Sequence, residues 1–367
     1  MCIRSSYCSK PLWILAVCLS VAGPALGLVT HDDTLPADRP PDTMLGDWRG
    51  IATCVVVGSD WVLTTQHQAG AVGNTVTIGG EDYQIGAIFN HPTADVRVAW
   101  LKQDGQPAGL TDCAVLYEGT AEVGSTAVIG GCGRVRNETL YTTGAVAYGY
   151  NWVEPDPGAG PHWGQNRVDG LGTYGSTSLL TADFDGPGRP SAVSCEATGA
   201  LHDSGGGWFT KDGGDWQVIG LTRGVDLHYA DGHEDDPDYR QTWFADPTTG
   251  APAPDVLDAV RVRTYAAWAN GIMADWRVPG DADDNDRVDL ADLSILAFNW
   301  DTASGATWEM GDFTGDGKVD LSDLSELAAN WEYGVSVPSG ALPSSVPEPA
   351  SASLLAAAAA LLIRRRR

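Results

Sequence analysis

Between residues 28 and 276, short apolar runs alternate with Gly, Pro, Asn and Asp punctuation. Cys54–Val57, Trp61–Thr64, Thr75–Ile78, Ile85–Phe89, Val96–Leu101, Thr126–Ile129, Thr142–Ala147 and Trp216–Leu221 are predicted strands. Several are β-branched or aromatic, and most are bounded by turn residues. Many short strands of this kind predict a mainly β sandwich or barrel built on non-local pairing. The Gly/Pro/Asp-rich stretch Glu154–Gly175 reads as loop. Val256–Trp268 carries Val256, Leu257, Val260, Tyr265 and Trp268 at helical spacing, which predicts one helix.

The pattern changes at Pro279-Gly280. Residues 281–292 and 312–323 are two acidic loops offset by 31 positions, and the offset persists beyond them. Leu290, Leu293, Leu296 and Trp300 match Leu321, Leu324, Leu327 and Trp331, a duplicated loop plus amphipathic helix. Calcium takes six to eight oxygen ligands, and EF-type loops supply them from positions 1, 3, 5, 7, 9 and 12. In the first loop those positions are Asp281, Asp283, Asn285, the Arg287 carbonyl, Asp289 and Asp292. In the second they are Asp312, Thr314, Asp316, the Lys318 carbonyl, Asp320 and Asp323. Gly317 stands where the loop turns sharply, whereas Asp286 takes that place in the first loop.

Charge reinforces that reading. Residues 281–333 hold fourteen Asp/Glu against Arg287 and Lys318, so they supply −12 of the net −26. Carboxylates this crowded ask for a cation, and the charge of the whole chain disfavours nucleic acid and anionic lipid as partners. The 367 residues exceed one average domain. Arg4 and Lys10, the apolar run Pro11–Val21 and Ala25-Leu26-Gly27 compose a secretory signal over residues 1–27. Its removal leaves Cys54, Cys113, Cys132 and Cys195, an even number that permits disulfides in three connectivities. Residues 335–345 are a Pro/Ser-rich linker, and the chain closes on an apolar run followed by Arg364–Arg367.

Three segments carry candidate chemistry. An apolar strand, Trp61–Thr64, leads into His67; Asp95 opens the alternating strand Val96–Leu101; and Asp203-Ser204-Gly205-Gly206 sets a serine in a Gly-rich turn. A serine hydroxyl is a weak nucleophile. It needs an imidazole to take its proton and a carboxylate to orient the imidazole. A turn at the serine also offers N–H donors to a developing oxyanion.

Together the segments resemble the catalytic motifs of the trypsin/chymotrypsin family, in that family's order His, Asp, Ser. The resemblance implies a secreted serine endopeptidase over residues 28–278, with two six-stranded antiparallel barrels and the site between them. It implies His67 as general base, Asp95 as its orienter and Ser204 as nucleophile. The backbone N–H groups of His202 and Ser204 would form the oxyanion hole. The position six before the serine, Thr198, would belong to the specificity pocket and argues against a trypsin-type cation pocket. Val218–Thr222 with Arg223-Gly224 would form one pocket wall. The family's Asp203 pairs with a freed N-terminal amine, which here would be Leu28 after signal removal.

The chain also departs from the family. His202 replaces a glycine, Gly207 replaces a proline, and Gln68 stands where Cys54 would find its usual partner. The alternative to an enzyme is a catalytically inactive scaffold on the same fold. Residues 279–334 resemble a small all-α type I dockerin, which implies two Ca2+ ions and a cohesin-like partner. Val346-Pro347-Glu348-Pro349 and the tail over 346–367 resemble a PEP-CTERM sorting signal. That implies an exosortase-type processing enzyme and a secreted or cell-envelope location.

Overall fold

The computed structural model describes residues 28–31, 34–153, 160–226, 228–229 and 240–335. The expected signal segment and sorting tail lie outside them, as does nearly all of the expected linker. After a short strand β1 (Val29–Thr30), seven strands follow: β2 (Leu45–Trp48), β3 (Thr53–Gly58), β4 (Trp61–Thr64), β5 (Thr75–Ile78), β6 (Glu81–Asn90), β7 (Arg97–Gln103) and β8 (Gln106–Pro107). They pair in the order β4-β3-β2-β5-β6-β7-β8. β7 also returns to β4, with Trp61 opposite Trp100 and Leu63 opposite Val98, which closes a six-stranded barrel.

Period-2 alternation explains why these strands look apolar throughout. Cys54, Val56, Val62, Ala99 and Leu101 fill the barrel interior. Their neighbours Val55, Leu63, Val98 and Trp100 point outward into a second buried cluster. Both faces of the sheet are covered, so few positions need be polar.

The chain continues with β9 (Val115–Leu116), β10 (Thr126–Gly131), β11 (Val135–Thr143), β12 (Val146–Val153), β13 (His162–Arg167), β14 (Gly170–Tyr174), β15 (Thr177–Asp183) and β16 (Ala197–Thr198). Then come β17 (Gly207–Asp212), β18 (Asp215–Val225), β19 (His228–Tyr229), β20 (Arg240–Trp243) and β21 (Val256–Arg261). An eight-stranded sheet runs β13-β10-β17-β18-β21-β15-β14, with β9 parallel to β18. It curls back on itself: Asn166 Nδ2 donates to the Asp183 carbonyl at 2.8 Å, and Asp169 N donates to Thr181 O at 2.8 Å. Among the described residues, only the first barrel closes by strand pairing alone. A separate sheet, β11-β12-β20-β19, adds strands beyond the expected barrel pair.

Three local expectations change. Val256–Trp268 is not one helix. Val256–Arg261 is a central strand between β15 and β18, and the helix α1 (Ala266–Asp275) begins only after a 3-10 turn. Burial of Leu257 and Ala259 in the second sheet's core overrides the helical spacing. Glu154–Gly175 contains β13 and β14, whose glycines allow close packing; a Cβ on Gly164 would lie 2.3 Å from that of Ala197. Thr142–Ala147 is two strand ends, of β11 and β12, joined by a turn at Gly144, which sits at φ 62°.

The acidic repeat forms α2 (Leu290–Phe298) and α3 (Leu321–Ala329). Asp289 and Asp320 cap them, each with the reciprocal carboxylate of Asp292 or Asp323, so each helix begins on a capping box. The unit is fused to the first barrel. Trp276 packs edge-on against Phe89 at 5.1 Å and Trp61 at 6.2 Å. Lys102 Nζ reaches Asn330 Oδ1 at 3.1 Å, and Gln106 Nε2 donates to Glu332 O at 2.7 Å. One buried cluster runs from Leu63 and Val98 of the barrel through Tyr265 to Leu293, Leu296, Leu324 and Leu327.

Candidate active site

His67, Asp95 and Ser204 meet between the barrel and the second sheet. His67 lies in the turn after β4, Asp95 in the turn between β6 and β7, and Ser204 in the turn before β17. The strand register of β4 against β7 holds the first two turns side by side. His67 Nδ1 is 2.7 Å from Asp95 Oδ2, and the His67 amide donates to Asp95 Oδ1 at 2.8 Å. His67 Nε2 is 3.1 Å from Ser204 Oγ. These lengths suit proton transfer along one line.

The serine turn is pinned from the barrel side. Thr53 N donates to Ser204 O at 2.8 Å, and Thr53 Oγ1 donates to the His202 carbonyl at 3.2 Å. Gly205 sits at φ 85°, and a Cβ there would come within 2.1 Å of Thr53 O and Thr64 Oγ1. Glycine is therefore required on two counts. His202 is also left-handed, at φ 77°, a conformation that costs a non-glycine residue about 1–2 kcal/mol.

Asp95 is held from both sides. Its amide donates to Thr177 Oγ1 at 2.9 Å, from the tip of the β14–β15 hairpin. Burial pushes its carboxyl up, but the hydrogen bonds and charge of His67, with the charge of Arg223, hold it below the usual carboxylate range.

Asp203 is fully buried. Its Oδ1 accepts from Gly133 N at 2.8 Å and its Oδ2 from Ala200 N at 2.7 Å. Burial outweighs these bonds and pushes the carboxyl up to about 7. Leu28 is buried and bridges Val135, while Val29 pairs with Thr198.

Among known proteins, no family model and no curated protein matches this chain. A search of solved structures finds neuropsin, a serine protease expressed in the limbic system of mouse brain. It is 17% identical, covering 63% of this chain and 95% of that one, with a TM-score of 0.41.

A cleft of roughly 830 Å³ opens beside His67 and Asp95, walled by Gln66, Tyr174, Thr177, Arg223 and Gly224. Of the expected pocket wall, Arg223 and Gly224 line this cleft, while Val218–Thr222 do not. Thr198 does not line this cleft. It is fully buried in β16, and its hydroxyl finds no hydrogen-bond partner among the described residues. Tyr174 lies in the stretch that reads as loop, and Thr177 just beyond it carries no local signal, because its partner Asp95 is distant in the chain. Among the described residues Cys54, Cys113 and Cys132 are thiols outside any disulfide, with Cys54 inside the barrel. Burial pushes the Cys54 and Cys132 thiols up, away from the reactive thiolate form.

In the acidic repeat, oxygens of Asp281, Asp283 and Asp292 lie within 4.8 Å of one another. Asn285 N and Asp286 N donate to Asp281 at 3.1 and 2.8 Å, wrapping the loop around its first carboxylate. The second loop repeats this with Asp316 N and Gly317 N on Asp312 at 3.2 and 2.8 Å. Asp286 and Gly317 share the left-handed turn, at φ 59° and 79°. The donor set is all oxygen, which suits a hard cation.

Proposed function

We propose that the chain is a serine endopeptidase, exported to the cell exterior or envelope, with a calcium-binding dockerin-like unit. The hydrogen-bonded line Asp95–His67–Ser204 carries this reading. Ser204 Oγ attacks the scissile carbonyl as its proton passes to His67 Nε2. Asp95 holds the ring's other nitrogen protonated and stabilises the imidazolium. Backbone N–H groups of His202 and Ser204 receive the oxyanion. The imidazolium then protonates the leaving amine, and a water deprotonated by His67 releases the acyl group from Ser204.

The six oxygen positions of each acidic loop would hold one Ca2+, as Asp281 through Asp292 and Asp312 through Asp323. The ion would neutralise crowded carboxylates and brace a unit packed on the barrel. A cohesin-like partner and exosortase-type removal of the tail complete the proposal.

Fluorophosphonate labelling tests the enzyme. Ser204 should be modified irreversibly, and Ser204→Ala should abolish both labelling and cleavage of a peptide library. An unlabelled but folded, signal-cleaved protein would favour the inactive scaffold, for which the side chain at His202 is the supporting feature.

A further inference from the structure

Arg223 is built into the site at a β-bulge. Thr222 pairs with Ala259 and Gly224 with Asp258, leaving Arg223 as the extra residue. A bulge re-aims a side chain, and here it delivers a guanidinium to the cleft wall. Arg223 Nε lies 3.7 Å from Asp95 Oδ2, the same oxygen that faces His67 Nδ1. Nη1 donates to Asp258 Oδ1 and Oδ2 at 3.2 and 3.0 Å. The Tyr174 ring covers the guanidinium, 3.5 Å from its centroid. Arg223 Nε is buried without a hydrogen-bond partner among the described residues. Leaving a buried N–H unpaired is costly, so mere packing is a poor reason for an arginine here.

We propose that Arg223 is a positioning residue for Asp95, a cation clamped by Asp258 and Tyr174 that holds the Asp95 carboxylate in line with His67. The inference rests on the triad reading above. A positive charge beside Asp95 keeps that carboxylate ionised and fixes the oxygen that faces His67 Nδ1. Asp258 tempers that charge. The other charged groups near the site are Arg97, whose Nη2 donates to Gln66 O at 2.8 Å, and Asp226, which acts on Asp258. His91 is turned away, edge-on to Tyr265 and Trp268. None of these bridges Asp95 as Arg223 does among the described residues.

The test follows the rate of Ser204 labelling by a fluorophosphonate, together with the proton NMR resonance of the His67 Nδ1–H bonded to Asp95. Arg223→Gln should slow labelling about tenfold and move that resonance, and Arg223→Lys should restore both. Thermal melts confirm that each variant is folded. A wild-type labelling rate and an unmoved resonance in Arg223→Gln overturn the inference. If wild type is never labelled, the protease reading fails instead, and the resonance still decides the role of Arg223.

Discussion

Trp100 of the barrel and Tyr333 at the end of the acidic repeat pack at a tilt, with ring centroids 5.5 Å apart. Neither belongs to a linker. The contact joins the repeat to the barrel in one apolar cluster, so the two units should share stability.

Trp276 is the hub of that junction, touching Trp61, Phe89 and Trp100. Trp276→Ala should cost about 2–4 kcal/mol. Denaturant unfolding followed by tryptophan fluorescence and by circular dichroism should show both units melting together. Two separated transitions in the wild type would contradict a shared core.

Gly205→Ala should be far worse than an ordinary glycine substitution. The new Cβ would meet the Thr53 carbonyl at 2.1 Å in a left-handed turn, for a loss of about 3 kcal/mol or more. Gly213, at φ 61° with open space around it, should lose only about 1 kcal/mol on the same change. Chemical denaturation of the two variants gives the comparison.

Two buried carboxyls should make the fold less stable as pH rises. Burial pushes Asp203 up to about 7 and Glu196 up to about 8. In the unfolded chain both ionise near pH 4. The native state therefore holds more protons from about pH 4 to 8, and stability declines across that window. Asp95 and Glu122, held below the usual range, act oppositely: their contribution is present above about pH 4 and lost in acid. Asp203→Asn combined with Glu196→Gln should flatten the decline, read as melting temperature against pH. An unchanged slope would sink the assignment.

Calcium should raise the melting temperature of the whole chain, and EDTA should reverse the rise. Asp281→Ala with Asp312→Ala removes the first carboxylate of each loop and should abolish the response. Titration calorimetry with CaCl2 should then show no binding. A calcium response that survives the double substitution would refute these loops as the site.

Local chemistry was largely readable along the chain. The loop-helix repeat is legible because its carboxylates, caps and leucines recur within a dozen positions, as Asp289/Asp292 and Asp320/Asp323 show. The candidates His67, Asp95 and Ser204 could be picked out because each ends a strand or fills a glycine turn. Strand against helix at Val256–Trp268 was not readable, because the same apolar spacing serves either. Only neighbours on both sides of β21 decide it. The β13 and β14 glycines hid strands for a similar reason: their packing partners lie elsewhere in the chain.

The amino-acid order by itself determined the acidic loop-helix repeat, the strand-rich character and the presence of a histidine, an aspartate and a serine at strand edges and turns. Those follow from side-chain chemistry and short-range periodicity. Tertiary structure alone decided that Arg223 stands against Asp95, that Thr177 reaches Asp95 from a distant hairpin, and that Trp276 welds the repeat to the barrel. Each is a contact across sheets or between units, fixed by strand register and shared burial, which no local pattern of residues encodes.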